Sequence, residues 1–321
     1  MNKLFTFFVA LLCATATFTA CSNEDNSIVD KPTLGTDITW SITDGDANVP
    51  AGEKWIITGY GERTDKRIII GDGATVTLSG VNIEAFTSEG DYAPSITCLG
   101  DATIILADRT TNILNGNTYP AIVVPTDKKV GTLTIKGTGS LEAKSSNAAG
   151  IGCPWNNENN LGVKMDCGNI VIESGNITAI GSHAAPGIGA SGSNKCGDIT
   201  IKGGNITATG GEAPGIGCCG VGGACGNILI TGGIVTAAGG DSAPGIGSNH
   251  QGNCGSITIT DKVTKVTASS TNYVRYSIGN NGDGDFHCGT ITIGGTVYWD
   301  GSEFQNGGET YLSPNPFVYE P

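Results

Sequence analysis

Short apolar segments separated by glycine-rich turns run through most of the sequence. In the stretch that begins at Cys167, three such segments cover residues 169–172, 176–180 and 187–190. Isoleucine and alanine alternate there with polar or small residues, which is the period-two pattern of strands with one buried face. Gly, Ser, Asn and Pro, the usual turn formers, fill the stretches between the segments. The pattern therefore predicts a unit of three short strands joined by turns.

This three-strand unit is repeated along the chain. Its later copies each begin with a cysteine, at Cys167, Cys196, Cys225, Cys254 and Cys288. Successive cysteines of this set are 29, 29, 29 and 34 residues apart. Earlier copies without the cysteine begin at residues 73, 101 and 130, which makes eight copies in all. One copy cannot bury its apolar face alone, whereas copies stacked about 4.8 Å apart bury a continuous core.

The repeat predicts an all-β fold, a single-stranded right-handed parallel β-helix (solenoid) over residues 73–300, with capped ends. Residues 36–72 do not fit the repeat. They are predicted to form an N-terminal cap, because an open solenoid end exposes apolar core and unpaired strand edges. Residues 301–321 are predicted to cap the other end. A propeller, the alternative array, needs blades of about 40 residues with four strands each.

The N-terminus has the pattern of a processing signal. Residues 1–20 contain a short apolar segment that ends in small residues before Cys21, and this resembles the signal peptide and lipobox of bacterial lipoproteins. An ordinary signal peptide cleaved after Ala20 is the alternative. The acidic residues within 22–26 resemble the surface-export signal of Bacteroides-type lipoproteins. We therefore expect a lipidated Cys21, a polar tether over residues 21–35, and a lipid-anchored protein on the surface of the outer membrane.

Composition and charge narrow the class further. Glycine accounts for 51 of 321 residues, charged residues for 15% and aromatic residues for 6%, a mixture that suits a stacked array of strands and frequent turns. An apolar content of 38% is too high for a disordered chain. The net charge of −13 disfavours nucleic acid as a partner. No segment after residue 20 is long and apolar enough to span a bilayer, so the expected membrane contact is the lipid anchor alone.

The cysteines fall into two predicted columns. The five that begin repeats should stack as one ladder. Cys98, Cys153 and Cys218 share a second position, just after the isoleucine of the third strand, and Cys219 is adjacent to the last of them. Neither the paired spacing nor the mixed histidine partners of a metal site is present. Buried columns of thiols are expected, and bridging between stacked rungs is the alternative, because their spacing falls near the disulfide range.

The sequence offers little for catalysis. His183, His250 and His287 lie in separate turns, and the repeats contain only Arg109 and Arg275 as arginines. A lyase needs a basic residue beside calcium-binding acids, and a glycoside hydrolase needs paired carboxylates. We therefore expect no enzymatic activity, with a polysaccharide lyase or hydrolase as the less favoured alternative.

Two insertions break the regular spacing and supply the candidate site. The first, residues 154–166, contains Trp155, Asn157 and Glu158. A tryptophan on a projecting polar loop is a candidate for stacking on sugar rings. The alternative is that Trp155 folds back over the core. These three residues are predicted ligand-binding residues.

The second insertion lies in the 34-residue copy. It surrounds Tyr276, a further predicted ligand-binding residue, and includes Asp283 and Asp285 among asparagines and glycines. Alternating Asp, Asn and Gly is a pattern of oxygen ligands that suits calcium, and a plain turn is the alternative. Both insertions touch the corner after the third strand, and solenoids often bind ligands on the face that carries their insertions.

The repeat resembles a family of secreted β-helix proteins called carbohydrate-binding domain-containing proteins, typified by a clostridial cellulose- and pectate-binding domain. The matching pieces are residues 74–83, Ala-Thr-Val-Thr-Leu-Ser-Gly-Val-Asn-Ile, and residues 102–107, followed by the glycine-rich copies. The later Cys-Gly-x-Ile-x-Ile with Ala-Pro-Gly-Ile-Gly is similar to repeats of large surface proteins of gut bacteria. This resemblance covers about residues 38–300. It implies binding of acidic or neutral polysaccharide, often with calcium.

The function predicted from the sequence is therefore that of a non-catalytic cell-surface lipoprotein that binds a polysaccharide or glycan through one face of the β-helix. The alternative is an adhesin or structural surface protein with a protein partner. A row of aromatic side chains on one face would favour the first, a bare face the second, and clustered carboxylates with Arg or Lys the lyase.

Overall fold

A computed structural model gives the structure of the chain. It describes residues 37–84, 93–124, 131–154, 166–249, 252–271, 276–280, 287–299, 310–312 and 315–321. The described elements are short strands and a 3-10 helix, Ile42–Asp44. Most strands pair in parallel with the equivalent strand of the next coil, and the chain forms the right-handed parallel β-helix that the sequence predicts.

Sheet 1 contains the first strand of each coil. In order of pairing its strands are Ile38–Ser41, Lys54–Thr58, Ala74–Ser79, Ala102–Leu106, Thr132–Gly137, Asn169–Ile172, Ile199–Ile201, Ile228–Ile230, Ile257–Ile259, Ile291–Ile293 and Thr296–Trp299. Equivalent residues lie directly opposite one another, as Ile170, Ile199 and Ile228 do. The alternating side chains therefore form continuous columns, with isoleucine inside.

Sheet 2 contains the second strands. Its order is Arg63–Thr64, Asn82–Glu84, Thr111–Asn115, Ser140–Lys144, Asn176–Ile180, Asn205–Thr209, Ile234–Ala238, Lys265–Ser269 and Phe317–Tyr319. Ile177, Ile206 and Val235 form one buried column of this sheet. The alternate residues face outward.

Sheet 3 contains the third strands, and a small corner sheet follows it. The order in sheet 3 is Ala47–Val49, Ile68–Ile70, Ile96–Cys98, Ile122–Val123, Ile151–Gly152, Ile188–Ala190, Ile216–Cys218, Ile246–Ser248, Ile278–Asn280 and Thr310–Leu312. The corner sheet pairs Lys195–Cys196, Ala224–Cys225 and Asn253–Cys254. It leads the chain from the third strand of one coil into the first strand of the next.

Residues 38–70, which the sequence places in an N-terminal cap, form coils of the same solenoid. Lys54–Thr58 pairs in parallel with Ala74–Ser79, and Ile68–Ile70 pairs with Ile96–Cys98. The repeat is not recognisable there because these coils are short. Paired residues are 17 positions apart at Ile38 and Trp55, and 29 apart in the later coils. The shorter coils have no room for the glycine-rich turns that mark the repeat.

The other end closes with chain reversal. The last strand of each large sheet is antiparallel to its neighbour: Thr296–Trp299 in sheet 1, Phe317–Tyr319 in sheet 2 and Thr310–Leu312 in sheet 3. Two of these strands lie within the predicted cap at 301–321, whereas Thr296–Trp299 lies just before it.

The predicted cysteine ladder is present. Cys167, Cys196, Cys225, Cys254 and Cys288 lie opposite one another on successive coils, and all are buried. The second column is shared with other residues: Cys98, Val124, Cys153, Ala190, Cys218, Ser248 and Asn280 occupy it in turn. Disulfides join Cys153 to Cys167 and Cys254 to Cys288, whereas Cys98, Cys196, Cys218, Cys219 and Cys225 are free thiols.

Candidate ligand-binding face

Most residues of the predicted site lie outside the described residues. This is the case for Trp155, Asn157, Glu158, Asp283 and Asp285, and for the predicted lipidation site, Cys21. Their roles therefore stay predictions. Among the described residues, no group of three or more His, Cys, Asp or Glu side chains is arranged to hold a metal ion. Calcium thus remains a prediction that rests on Asp283 and Asp285.

Several described side chains of the predicted corner are buried, although Val221 in the equivalent turn of a later coil is 61% exposed. Tyr276 is 3% exposed, so its ring presents almost no surface to a ligand. Asn194 donates to the carbonyl oxygen of Pro154 at 2.6 Å. The Nδ2 atom of Asn280 donates to Ser248 Oγ and to the backbone oxygen of Asn249, each at 2.8 Å. These polar groups satisfy the backbone of the turn, which is the structural role of buried amides.

A different surface, the outward side of sheet 2, presents a regular array. Thr178, Thr207, Thr236 and Thr267 lie directly opposite one another on four successive coils. Thr207 and Thr236 are exposed and the other two are half-buried. Each side chain offers one hydroxyl donor and two acceptor lone pairs, repeated at the spacing of the coils, about 4.8 Å. We call this set the threonine column.

The residues beside the threonine column are uncharged on three coils. The columns on either side contain Asn176, Asn205 and Ile234 on one side, and Ile180, Thr209 and Ala238 on the other. We call the threonine column and these six residues the neutral patch. An ion pair lies at each end of the patch: Lys144 with Glu142 at one end, and Lys265 with Glu320 at the other. The patch is therefore a neutral area of a protein whose net charge is −13.

A shallow groove runs along the turn between sheet 2 and sheet 3, next to the neutral patch. Its volume is about 370 Å³, and its lining comprises His183, Gly211, Glu212, Gly240, Asp241 and Thr271. These residues come from equivalent turns of successive coils. A side chain at Gly240 would overlap the backbone oxygen of Gly211, so glycine keeps the floor of the groove low.

The groove differs from the neutral patch in its charge. Glu212 and Asp241 are exposed and lie on adjacent coils. The hydroxyl of Thr271 donates to Asp241 Oδ1 at 3.2 Å or to the backbone oxygen of Gly240 at 3.1 Å. Carboxylate oxygens accept charge-assisted hydrogen bonds from hydroxyl groups. The groove can therefore hold a hydroxyl-rich ligand along one edge.

The sequence already contained the signal for the threonine column. Threonine recurs at the outward position of the second strand in four segments. They are Asn-Ile-Thr-Ala at 176–179 and 205–208, and Val-Thr-Ala at 235–237 and 266–268. The groove had no such signal, because its residues differ from coil to coil. His183, the histidine of the groove, lies in a turn, as the sequence predicts, and is exposed.

Comparison with known proteins supports the fold. A family model described as "Beta helix repeat" matches residues 133–153, 170–192, 199–223 and 228–250. Each matched segment begins in a first strand and reaches the region of the third strand, so the matches follow the observed coils. Neither the curated proteins nor the solved structures contain a match to the chain. In the part of the chain that the structure describes, no helix has the length and apolar character needed to cross a membrane.

Proposed function

We propose that this protein is a non-catalytic glycan-binding protein whose ligand lies along the threonine column and the adjacent groove. The observation that carries the proposal is the in-register array of Thr178, Thr207, Thr236 and Thr267 on four successive coils. A polymer of sugar units presents hydroxyls at regular intervals, and a regular array of hydroxyls can bind several units in the same way.

The neutral patch favours an uncharged glycan. Binding removes water from the patch, and this is less costly for hydroxyl and amide groups than for charged groups. Ile180, Ile234 and Ala238 lie beside the threonine column and supply apolar contacts for the C–H faces of sugar rings. Glu212 and Asp241 accept hydrogen bonds from hydroxyls at the edge of the ligand. The same two carboxylates repel an acidic polysaccharide.

A protein partner is the second candidate. The described face has threonine where an aromatic row would be expected of a strong sugar-binding surface, and a face without aromatic side chains favours an adhesin or structural protein. We place the glycan first because exposed hydroxyls alternate with apolar groups on this face.

The proposed setting is the outer surface of the cell, with a lipid anchor at Cys21. The bonds Cys153–Cys167 and Cys254–Cys288 support export, because disulfides persist in oxidising compartments. We expect Cys21→Ala to release the protein from the membrane fraction or to block its processing, because the thiol that carries the lipid is gone. Fractionation followed by immunoblotting measures this. Unchanged membrane attachment of the variant would contradict the anchor.

The glycan proposal is tested with a soluble chain that begins at Ser22 and therefore carries neither signal peptide nor lipid. A glycan array is followed by affinity measurements on each hit, with and without calcium. We expect a neutral glycan to bind, and the double variant Thr207→Glu/Thr236→Glu to bind at least about tenfold more weakly, because each carboxylate must lose water against the ligand. Thr200→Glu, on the outward side of sheet 1, is the matched control and should bind normally.

Three other outcomes point elsewhere. Equal affinity in the double variant would contradict the proposed face. Loss of binding in Trp155→Ala alone, with calcium dependence, would place the site at the loops predicted from the sequence. Release of new reducing ends or unsaturated products would show catalysis, and Glu212 and Asp241 would then be the first carboxylates to replace.

A further inference from the structure

The two cysteine columns meet at the corner between sheet 3 and the corner sheet. Cys153, in the second column, is bonded to Cys167, which opens the next coil of the ladder, with 5.5 Å between their Cα atoms. The bond therefore crosses from one column to the other. Such a crossing bond needs a cysteine in the second column and another at the start of the following coil.

The same arrangement recurs two coils further along. In the second column Ala190 follows Cys153, and Cys218 follows Ala190. Cys218 therefore lies two coils after Cys153. In the ladder, Cys196 lies opposite Cys167 and Cys225 lies opposite Cys196. Cys218 and Cys225 thus hold the positions of Cys153 and Cys167, but both are free thiols.

The second disulfide is consistent with this requirement for a crossing bond. Cys254 is bonded to Cys288 along the ladder, and the residues of the second column that precede these two are Ser248 and Asn280. No thiol is available there for a crossing bond. Cys196 follows Ala190, which also offers no thiol. Of the free ladder cysteines, only Cys225 follows a cysteine of the second column.

The thiol of Cys225 is hydrogen-bonded to both Cys196 and Cys218. Burial raises the pKa of Cys218. The hydrogen bond with Cys196 lowers the pKa of Cys225, but the hydrogen bond with Cys218 and burial outweigh it, so that this pKa lies well above its ordinary value. Thiolate is therefore scarce at these sites in the folded protein, and exchange that requires thiolate is slow there.

The chain between the two cysteines favours their closure. It contains Gly220, Gly222 and Gly223, and the first two have φ angles of +89° and +74°. A short glycine-rich loop closes with little steric cost. Cys196 lies 29 residues before Cys225, so its encounter with Cys225 during folding requires a longer loop.

We infer that Cys218 and Cys225 form a crossing disulfide in the exported protein, with Cys196 left as a thiol. The oxidant is an external disulfide, either a disulfide carrier protein or oxidised glutathione. One of the two cysteines, as thiolate, attacks the carrier, whose S–S bond breaks, and a mixed disulfide forms. The second cysteine then displaces the carrier sulfur, so that the carrier gains two electrons and leaves as a dithiol or as two thiols. Exchange occurs before burial, while the thiols are still accessible.

Tryptic digestion of the full chain separates the alternatives. Cleavage after Lys195 and Lys202 places Cys196 alone in peptide 196–202, whereas peptide 203–262 contains Cys218, Cys219, Cys225 and Cys254. The chain is exported, purified without reductant and alkylated under denaturing conditions before digestion. We expect peptide 196–202 to be free and alkylated. Peptide 203–262 should be recovered linked to peptide 276–321 through Cys254 and Cys288 and should carry one further, internal bond, which makes the linked pair two hydrogens lighter.

Two variants assign that internal bond. Cys218→Ala should abolish it, and the substitution is structurally tolerated because alanine holds this position at Ala190. Cys219→Ser should retain it, since serine follows the equivalent position at Ser191. The link of peptide 203–262 to peptide 276–321 through Cys254 and Cys288 reports that oxidation took place. Peptide 196–202 bonded to 203–262, or full alkylation of all three thiols beside that link, would overturn the inference.

Discussion

Replacing Gly217 with alanine is expected to destabilise the protein strongly. Gly217 is buried in sheet 3 with a φ of +137°, where an L side chain is strained, and an added Cβ would overlap the carbonyl oxygen of Gly247 on the next coil. Strain and overlap together should lower the free energy of unfolding by about 3 kcal/mol or more. Urea unfolding followed by circular dichroism measures the change.

Gly222→Ala is the matched control for this variant. Gly222 also has a positive φ, of +74°, but no atom lies within 4 Å of a Cβ placed there. Only the conformational cost of about 1 kcal/mol should remain. Equal losses in the two variants would mean that the stack of glycines tolerates a side chain. The overlap arises because glycines occupy this position on five successive coils and their backbones lie close together. They are Gly152, Gly189, Gly217, Gly247 and Gly279.

The second large effect is expected at Ile206. This residue is fully buried in sheet 2, between Ile177 and Val235 of the neighbouring coils. Ile206→Ala removes buried apolar surface and leaves a cavity, which should lower the free energy of unfolding by about 2–5 kcal/mol. Because each coil contacts only its neighbours, the loss weakens two interfaces at once. Thermal unfolding of the variant measures it as a lower Tm.

Ile234→Ala supplies the comparison, with the same change at an outward position of the next strand. Ile234 is 39% exposed and lies opposite Asn205. The equivalent position of the preceding coil is therefore occupied by a polar residue. The expected change is within about 0.5 kcal/mol, as for most surface substitutions. A similar drop in Tm for the two alanine variants would show that the inward and outward faces of sheet 2 are assigned wrongly.

Regular patterning explains why so much of the fold was predictable. Ile170 and Ile172 alternate with polar neighbours in the sequence, and both are fully buried in the structure. The cysteine spacing of 29 residues fixed the ladder in the same way, because a constant repeat length keeps equivalent residues opposite each other. The early coils were missed, since Ile38 and Trp55 pair across an interval of only 17 residues.

The candidate site was less predictable for a physical reason. Sequence insertions mark places where the chain leaves the regular path, but they do not show whether their side chains point outward. Tyr276 is buried although it lies in such a place. The groove at Glu212 and Asp241 depends on turns of successive coils lying side by side, which follows from register and not from a local motif.

The reversal of chain direction at the C-terminal end has a consequence for self-association. Stacks of parallel strands in register are also the architecture of fibrils, which grow because the last strand is a template for the next molecule. Here sheets 1, 2 and 3 all end in a strand that runs against the others. The strands of a second molecule stacked in the same direction would therefore meet terminal strands of opposite direction at that end. We therefore expect this end of the solenoid to disfavour growth by addition of further parallel coils.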